Sequence, residues 1–166
     1  LGWKAGLWRL RKGGIANEVV LRGLQSRDLN VLIDGQRVYG ACPNHMDPAA
    51  FHVDFAEVDR VEVGMGPFDV KNQGSLGGVV SIVTRRPEPG LHATANAAAG
   101  SWGYANPSAS ASWAGESFSA LAGYSYRRST AFSDGDGRRF TELTNYRSDA
   151  VDGEAFRAGT AWARVG

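Results

Sequence analysis

The sequence predicts an α+β domain, a small mixed sheet with short helices, followed by the first antiparallel strands of a transmembrane β-barrel. Up to about Pro89 the chain is rich in Val, Leu, Arg and Asp in short mixed segments. From Gly90 onward it turns to Ala, Ser, Gly, Tyr and Trp with long uncharged stretches. Pro87 and Pro89 punctuate the change, which divides the chain into residues 1–88 and residues 89–166. The second part alternates apolar and polar residues over segments of about ten, the length of a tilted membrane-spanning strand.

Leu7 to Arg11 alternates apolar and basic residues, Gly13 and Gly14 interrupt it, and Val19, Val20 and Leu21 restart a short strand that leads to Arg22 and Gly23. Val31 to Ile33, then Asp34 and Gly35, then Gln36 to Tyr39 read as strand, tight turn and strand, because Asp-Gly tolerates the positive φ of a two-residue hairpin. The loop that follows, Cys42 to Pro48, has a proline near each end. Ala49 to Asp59 is a helical turn or loop. From Arg60 the pattern predicts a half-buried strand, with Val61, Val63 and Met65 on one face and Arg60 and Glu62 on the other. Gly66 ends it, Gly74, Gly77 and Gly78 form a glycine-rich turn, and the β-branched run Val79 to Val83 predicts a strand covered on both faces.

Ser117 to Arg127 is the clearest alternating segment. Phe118, Ala120, Ala122, Tyr124 and Tyr126 share one side, serines and Gly123 the other, and only Leu121 is out of pattern. Leu91 to Gly100, Pro107 to Trp113 and Ala155 to Val165 are further strands, the last with Phe156 and Trp162 as candidate interfacial aromatics. The connection at Gly115 and Glu116 is short, whereas Ser129 to Glu154 is long and polar, as in barrels with short periplasmic turns and long outer loops. Four strands cannot close a barrel, and open edges are not tolerated in lipid. The sequence is therefore expected to be a piece of a longer chain.

The charge balance, 18 Lys and Arg against 17 Asp and Glu, has none of the one-signed field of a nucleic-acid binder, so no nucleic-acid partner is expected. No apolar run reaches the ~18 residues of a membrane helix. The lone cysteine, Cys42, cannot form an intramolecular disulfide and is a free thiol, an intermolecular partner or a metal ligand.

The blocks NVLIDGQRVYGACPNHMDP, EVDRVEVGMGPFDV and GSLGGVVSIVTRRP, between Asn30 and Pro87, resemble in order and spacing the plug of TonB-dependent outer-membrane receptors. Arg22 and Gly23 after the second strand, the Glu62 to Pro67 turn, and the glycines before the last plug strand carry the likeness. The family's frequent Leu-Tyr-Gly after the Gly-Pro turn is replaced here by Asp69 to Gly74. The resemblance implies a plug over residues 1–88 and about four barrel strands over 89–166. It further implies residence in the bacterial outer membrane, with the plug inside the barrel facing the periplasm. The implied partners are membrane lipid, a metal ion or chelate, and the TonB energy-transducing complex. It implies active import with no enzymatic step and no catalytic cofactor. Arg60 and Glu62 then resemble the charged plug strand that bonds the barrel's inner wall, although a solvated sheet face is the plain alternative.

Cys42 and Met46 stand four residues apart, so a compact loop or one helical turn puts both sulfurs on the same side. Thiolate and thioether select Cu(I), and the Cys-x-x-x-Met pair resembles that of copper receptors within the family. Copper is thus the expected cargo, with His45 and His52 as weaker candidate ligands and Asp54 as a supporting group. Taken singly, Cys42 also reads as a small buried hydrophobe and Met46 as a gap filler. Three alternatives stand beside copper: a receptor of the same architecture for a ferric siderophore, cobalamin or another metal chelate; a soluble β-rich binding module; and an enzyme using Cys42 as nucleophile. Gly35, Gly66, Gly74, Gly77 and Gly78 read as turn geometry, because they lack the spacing and the lysine of a phosphate loop.

Overall fold

The structure is a computed structural model that describes residues 6–12, 16–42, 46–139 and 154–166. The chain forms two compact units, residues 1–85 and 86–166.

In the first unit, β1 (Leu7–Arg11) and β2 (Asn17–Leu21) make an antiparallel ribbon, with Leu7 opposite Leu21 and Arg11 opposite Asn17. A four-stranded mixed sheet follows in the order β4-β3-β6-β5, built from β3 (Leu29–Ile33), β4 (Gln36–Arg37), β5 (Val58–Met65) and β6 (Gly78–Thr84). β3 and β6 run parallel at its centre, and the other pairs are antiparallel. The expected short helices are single 3₁₀ turns at Ser26–Asp28, Ala49–His52 and Phe55–Glu57. No α-helix occurs among the described residues. Leu7, Val19, Leu21, Leu29 and Val80 form one buried cluster, and Val31, Ala49 and Ile82 a second. Burying each of the larger side chains contributes about 1.5–3 kcal/mol.

The Asp34-Gly35 hairpin forms as the dipeptide predicts, with φ of 49° and 81° at the two turn residues. Asp34 also ties the hairpin to the far end of β6, since its carboxylate accepts the Thr84 amide at 2.9 Å and the Thr84 hydroxyl at 2.6 Å. Regular pairing of β4 stops at Arg37, two residues before Tyr39, where the chain leaves the sheet. β6 differs from its expected double coverage. Val80, Ile82 and Thr84 are buried, but Val79, Ser81 and Val83 are only half-buried. Over part of that second face lies an open hollow of about 310 Å³, lined by Leu32, Met65, Phe68, Val79 and Ser81 among others. On β5, Val61 and Val63 pack toward the core as expected, but Met65 at the strand's end is exposed.

The second unit is an antiparallel meander of β7 (Gly90–Ala99), β8 (Ala105–Ala114), β9 (Ser119–Thr130) and β10 (Glu154–Val165). Directly opposed residues share a face, so the register assigns the two surfaces. One carries the rows Ala93, Ala111, Ala122, Ala163 and Ala95, Ala109, Tyr124, Ala161. The other carries Thr94, Ser110, Gly123, Trp162 and Asn96, Ser108, Ser125, Thr160. On β8 the apolar residues Pro107, Ala109, Ala111 and Trp113 are exposed while Ser108, Ser110 and Ser112 are half-buried, the inverse of a strand in water and the pattern of one that faces lipid. Leu121, out of pattern in the sequence, lies on the serine face and is buried.

Phe156 and Trp162 do not serve as interfacial aromatics on the apolar face. β10 is regular from Phe156 onward and its parity puts both on the serine face. The exposed aromatics of the apolar face are Trp113 and Tyr124. The ring of Trp113 meets that of Phe118 at 6.2 Å. At the other end of the meander Trp102 and Phe132 meet edge to face at 6.1 Å. Most of the expected long loop, residues 140–153, lies outside the described residues.

Candidate metal-binding site

The chain leaves β4 through Tyr39 and Gly40 and returns at Met46 and Asp47 before the 3₁₀ turn that begins at Ala49. What closes this loop is Asp47. Its Oδ2 accepts the amide of Ala41 at 2.6 Å and its Oδ1 the amide of Cys42 at 3.0 Å. The outgoing and returning arms of the loop are thereby joined at Cys42 and at the residue after Met46. Gly40 makes the approach possible, because a Cβ there would stand 2.7 Å from the Asp47 carbonyl oxygen and 2.9 Å from Oδ1. The hydrogen bond from the Cys42 amide is the largest influence on the Asp47 carboxyl; desolvation opposes it, the Ala41 amide and the nearby His52 reinforce it, and the net effect holds the carboxyl below the usual carboxylate range.

Cys42 is a free, half-buried thiol, and Met46 is 57% exposed. Their main chains are brought to the two feet of one clasped loop. Pro43, Asn44 and His45 lie outside the described residues, and with them the candidate ligand His45. His52 ends the 3₁₀ turn, exposed and edge-on to Phe51 at 5.9 Å. Asp54 has a structural task, since its Oδ1 caps the next turn by accepting the Ala56 amide at 2.9 Å. Among the described residues no group of three or more His, Cys, Asp and Glu gathers to hold an ion. Asp47 carries no sequence signal as a ligand.

Upstream of the loop, the Arg37 guanidinium stacks over Tyr39 at 4.8 Å and donates to the Gln73 carbonyl at 2.6 Å. Gly74, beside it, adopts φ of 90°. Arg60 and Glu62 are exposed and paired with each other at 2.8 Å, and Arg60 also reaches Asp59 at 3.0 Å. Hydrogen bonding to Glu62, then to Asp59, raises the Arg60 pKa. Gly66 turns the chain at φ 89°, and Gly77 packs under Leu24, whose Cδ1 would stand 2.5 Å from a Cβ. Gly78 is the tightest position, at φ 140° with room for no Cβ against the Gly64 carbonyl.

Residues 4–79 match the TonB-dependent Receptor Plug Domain family. Among solved structures, the chain is similar to the copper transporter OprC, with 29% identity and a TM-score of 0.69 over 81% of this chain and 21% of that one. It also shares its fold with the pyoverdine outer-membrane receptor FpvA from Pseudomonas aeruginosa PAO1, at 22% identity and TM-score 0.63 over 78% of this chain and 19% of the receptor. A third likeness is to the FrpB iron transporter from Neisseria meningitidis, at 19% identity and TM-score 0.64 over 82% and 22% of the two chains. The chain thus spans about a fifth of the length of these proteins. Residues 4–79, which span the β1-β2 ribbon and most of the mixed sheet, thus carry a TonB-dependent receptor plug domain.

Proposed function

We propose that this chain is part of an outer-membrane active-transport receptor for copper or a small copper complex, which Cys42 and Met46 bind. The observation that carries the reading is the Asp47 clasp, which ties the Cys42 main chain to the residue after Met46 in a chain that is 29% identical to a copper transporter. Thiolate and thioether favour Cu(I) over hard ions. In this reading residues 1–88 are the plug, set inside the barrel and facing the periplasm, and residues 89–166 are the opening barrel strands, with the alanine face against membrane lipid. The TonB complex supplies the energy, and the receptor catalyses no reaction. Arg60 and Glu62, exposed on β5, meet the barrel's inner wall. His45 and His52 are auxiliary ligands at most.

The test is cellular copper content in the host bacterium under copper limitation, with and without the receptor and with its TonB partner removed. Copper accumulation that requires both supports the reading. Accumulation indifferent to the receptor, with receptor-dependent growth on a ferric siderophore or another chelate, replaces it with the chelate reading.

A further inference from the structure

Resting on the copper reading above, we propose that Asp47 is a positioning residue of the sulfur pair: its carboxylate fixes the separation of Cys42 and Met46. Both of its oxygens are engaged with main-chain amides, Oδ2 with Ala41 and Oδ1 with Cys42. Each carboxylate oxygen is therefore tied to one main-chain amide of the outgoing arm, at the base of the loop. A hydrogen bond to a charged acceptor is stronger than a neutral one, and two of them from successive residues fix the orientation of the Cys42 main chain as well as its distance. Met46 precedes Asp47 directly, so the same clasp fixes where the thioether chain begins.

Gly40 belongs to this device. A side chain there would meet the Asp47 main chain and carboxylate at under 3 Å, so the glycine lets Asp47 reach its two amides. A loop open at this point would let the ends bearing Cys42 and Met46 separate, and the two sulfurs would then bind metal at an entropic cost that the clasp removes in advance.

The experiment uses the full-length receptor purified in detergent, as wild type, Asp47→Ala, Asp47→Asn and Cys42→Ser, with folding checked by heat-modifiable gel mobility. Two quantities are read: Cu(I) affinity and stoichiometry by competition with a chromophoric chelator, and the alkylation rate of the Cys42 thiol in metal-free protein. Asp47→Ala is expected to weaken Cu(I) by about tenfold, the order of a hydrogen bond to a charged group, while the stoichiometry at saturating Cu(I) is unchanged. The same variant alkylates several-fold faster. Asp47→Asn keeps one carbonyl acceptor and falls between the two, a rescue that a general folding defect does not produce. Copper lost in Cys42→Ser but unchanged in Asp47→Ala overturns this proposal and leaves the copper reading standing. Copper indifferent to Cys42→Ser overturns both.

Discussion

The indole of Trp162 lies against Gly123 on the neighbouring strand, so close that a Cβ on Gly123 would stand 2.3 Å from the ring. The two residues are directly opposed in the β9-β10 register, on the serine-rich face of the meander. Gly123→Ala is therefore expected to force the indole aside and destabilise the barrel by about 1–3 kcal/mol, the usual cost of overpacking. The folded fraction of the full receptor on a heat-modifiable gel measures this. Adding Trp162→Ala should recover most of the loss, and a double variant no better than the single would remove the contact as the cause.

The two faces of the meander should respond oppositely to charge. Ala122 sits in the centre of the all-alanine row, and Ala122→Arg is expected to cost about 2–4 kcal/mol, the penalty for a cation at the middle of a bilayer. Ser110→Arg on the opposite face should be far milder. Denaturant titration of the receptor refolded into bilayers compares them, and equal costs would contradict the assignment of the lipid-facing side.

Gly78 and Gly35 both hold positive φ, but for different reasons. Gly35 has open space around it at φ 81°, so Gly35→Ala should cost about 1 kcal/mol of backbone strain. Gly78 adds a collision with the Gly64 carbonyl to φ 140°, so Gly78→Ala should cost about 3 kcal/mol as strain and overpacking combine. Hydrogen exchange of the β5 and β6 amides in the receptor reads the difference, which should be confined to Gly78→Ala.

The loop before Gly74 is held by Asp69, which accepts the Lys71 and Asn72 amides at 3.2 Å and the Asn72 and Asn30 side-chain amides at 3.0 to 3.2 Å. Desolvation raises its pKa, but these hydrogen bonds outweigh it and leave the carboxyl below its ordinary 3.8. A depressed folded pKa means the carboxylate's contribution is fully present above 3.8 and disappears as pH falls through the lower folded value. Exchange of the Lys71 and Asn72 amides, corrected for intrinsic rate, should therefore accelerate only in that acid window. Asp69→Asn should abolish the pH dependence, and the same acceleration in that variant would contradict it.

Sequence legibility followed the range of the interactions. The Asp34-Gly35 hairpin and the four alternating strands were readable because each depends on residues a few positions apart. Phe156 and Trp162 read as interfacial aromatics from their apolar character alone, whereas strand parity puts them on the serine face. Ala161 and Ala163, on either side of Trp162, share the alanine face with Tyr124 and Ala122. The half-covered face of β6 was hidden because a β-branched run does not reveal how much packs over each side. Asp47 was hidden for another reason: a side chain that accepts amides five and six residues back leaves no periodic trace. Cys42 and Met46 could be singled out by their chemistry, but what joins their loop could not.

Cu(I) competition on the full-length receptor in detergent, with wild type beside Cys42→Ser and Met46→Ala, decides whether the sulfur pair holds the cargo. Tight, near-stoichiometric copper is expected in the wild type, with loss of tight binding in both variants. Weak copper, or copper indifferent to both substitutions, would contradict it and make the Cys42 to Met46 loop a structural element of a receptor for another cargo.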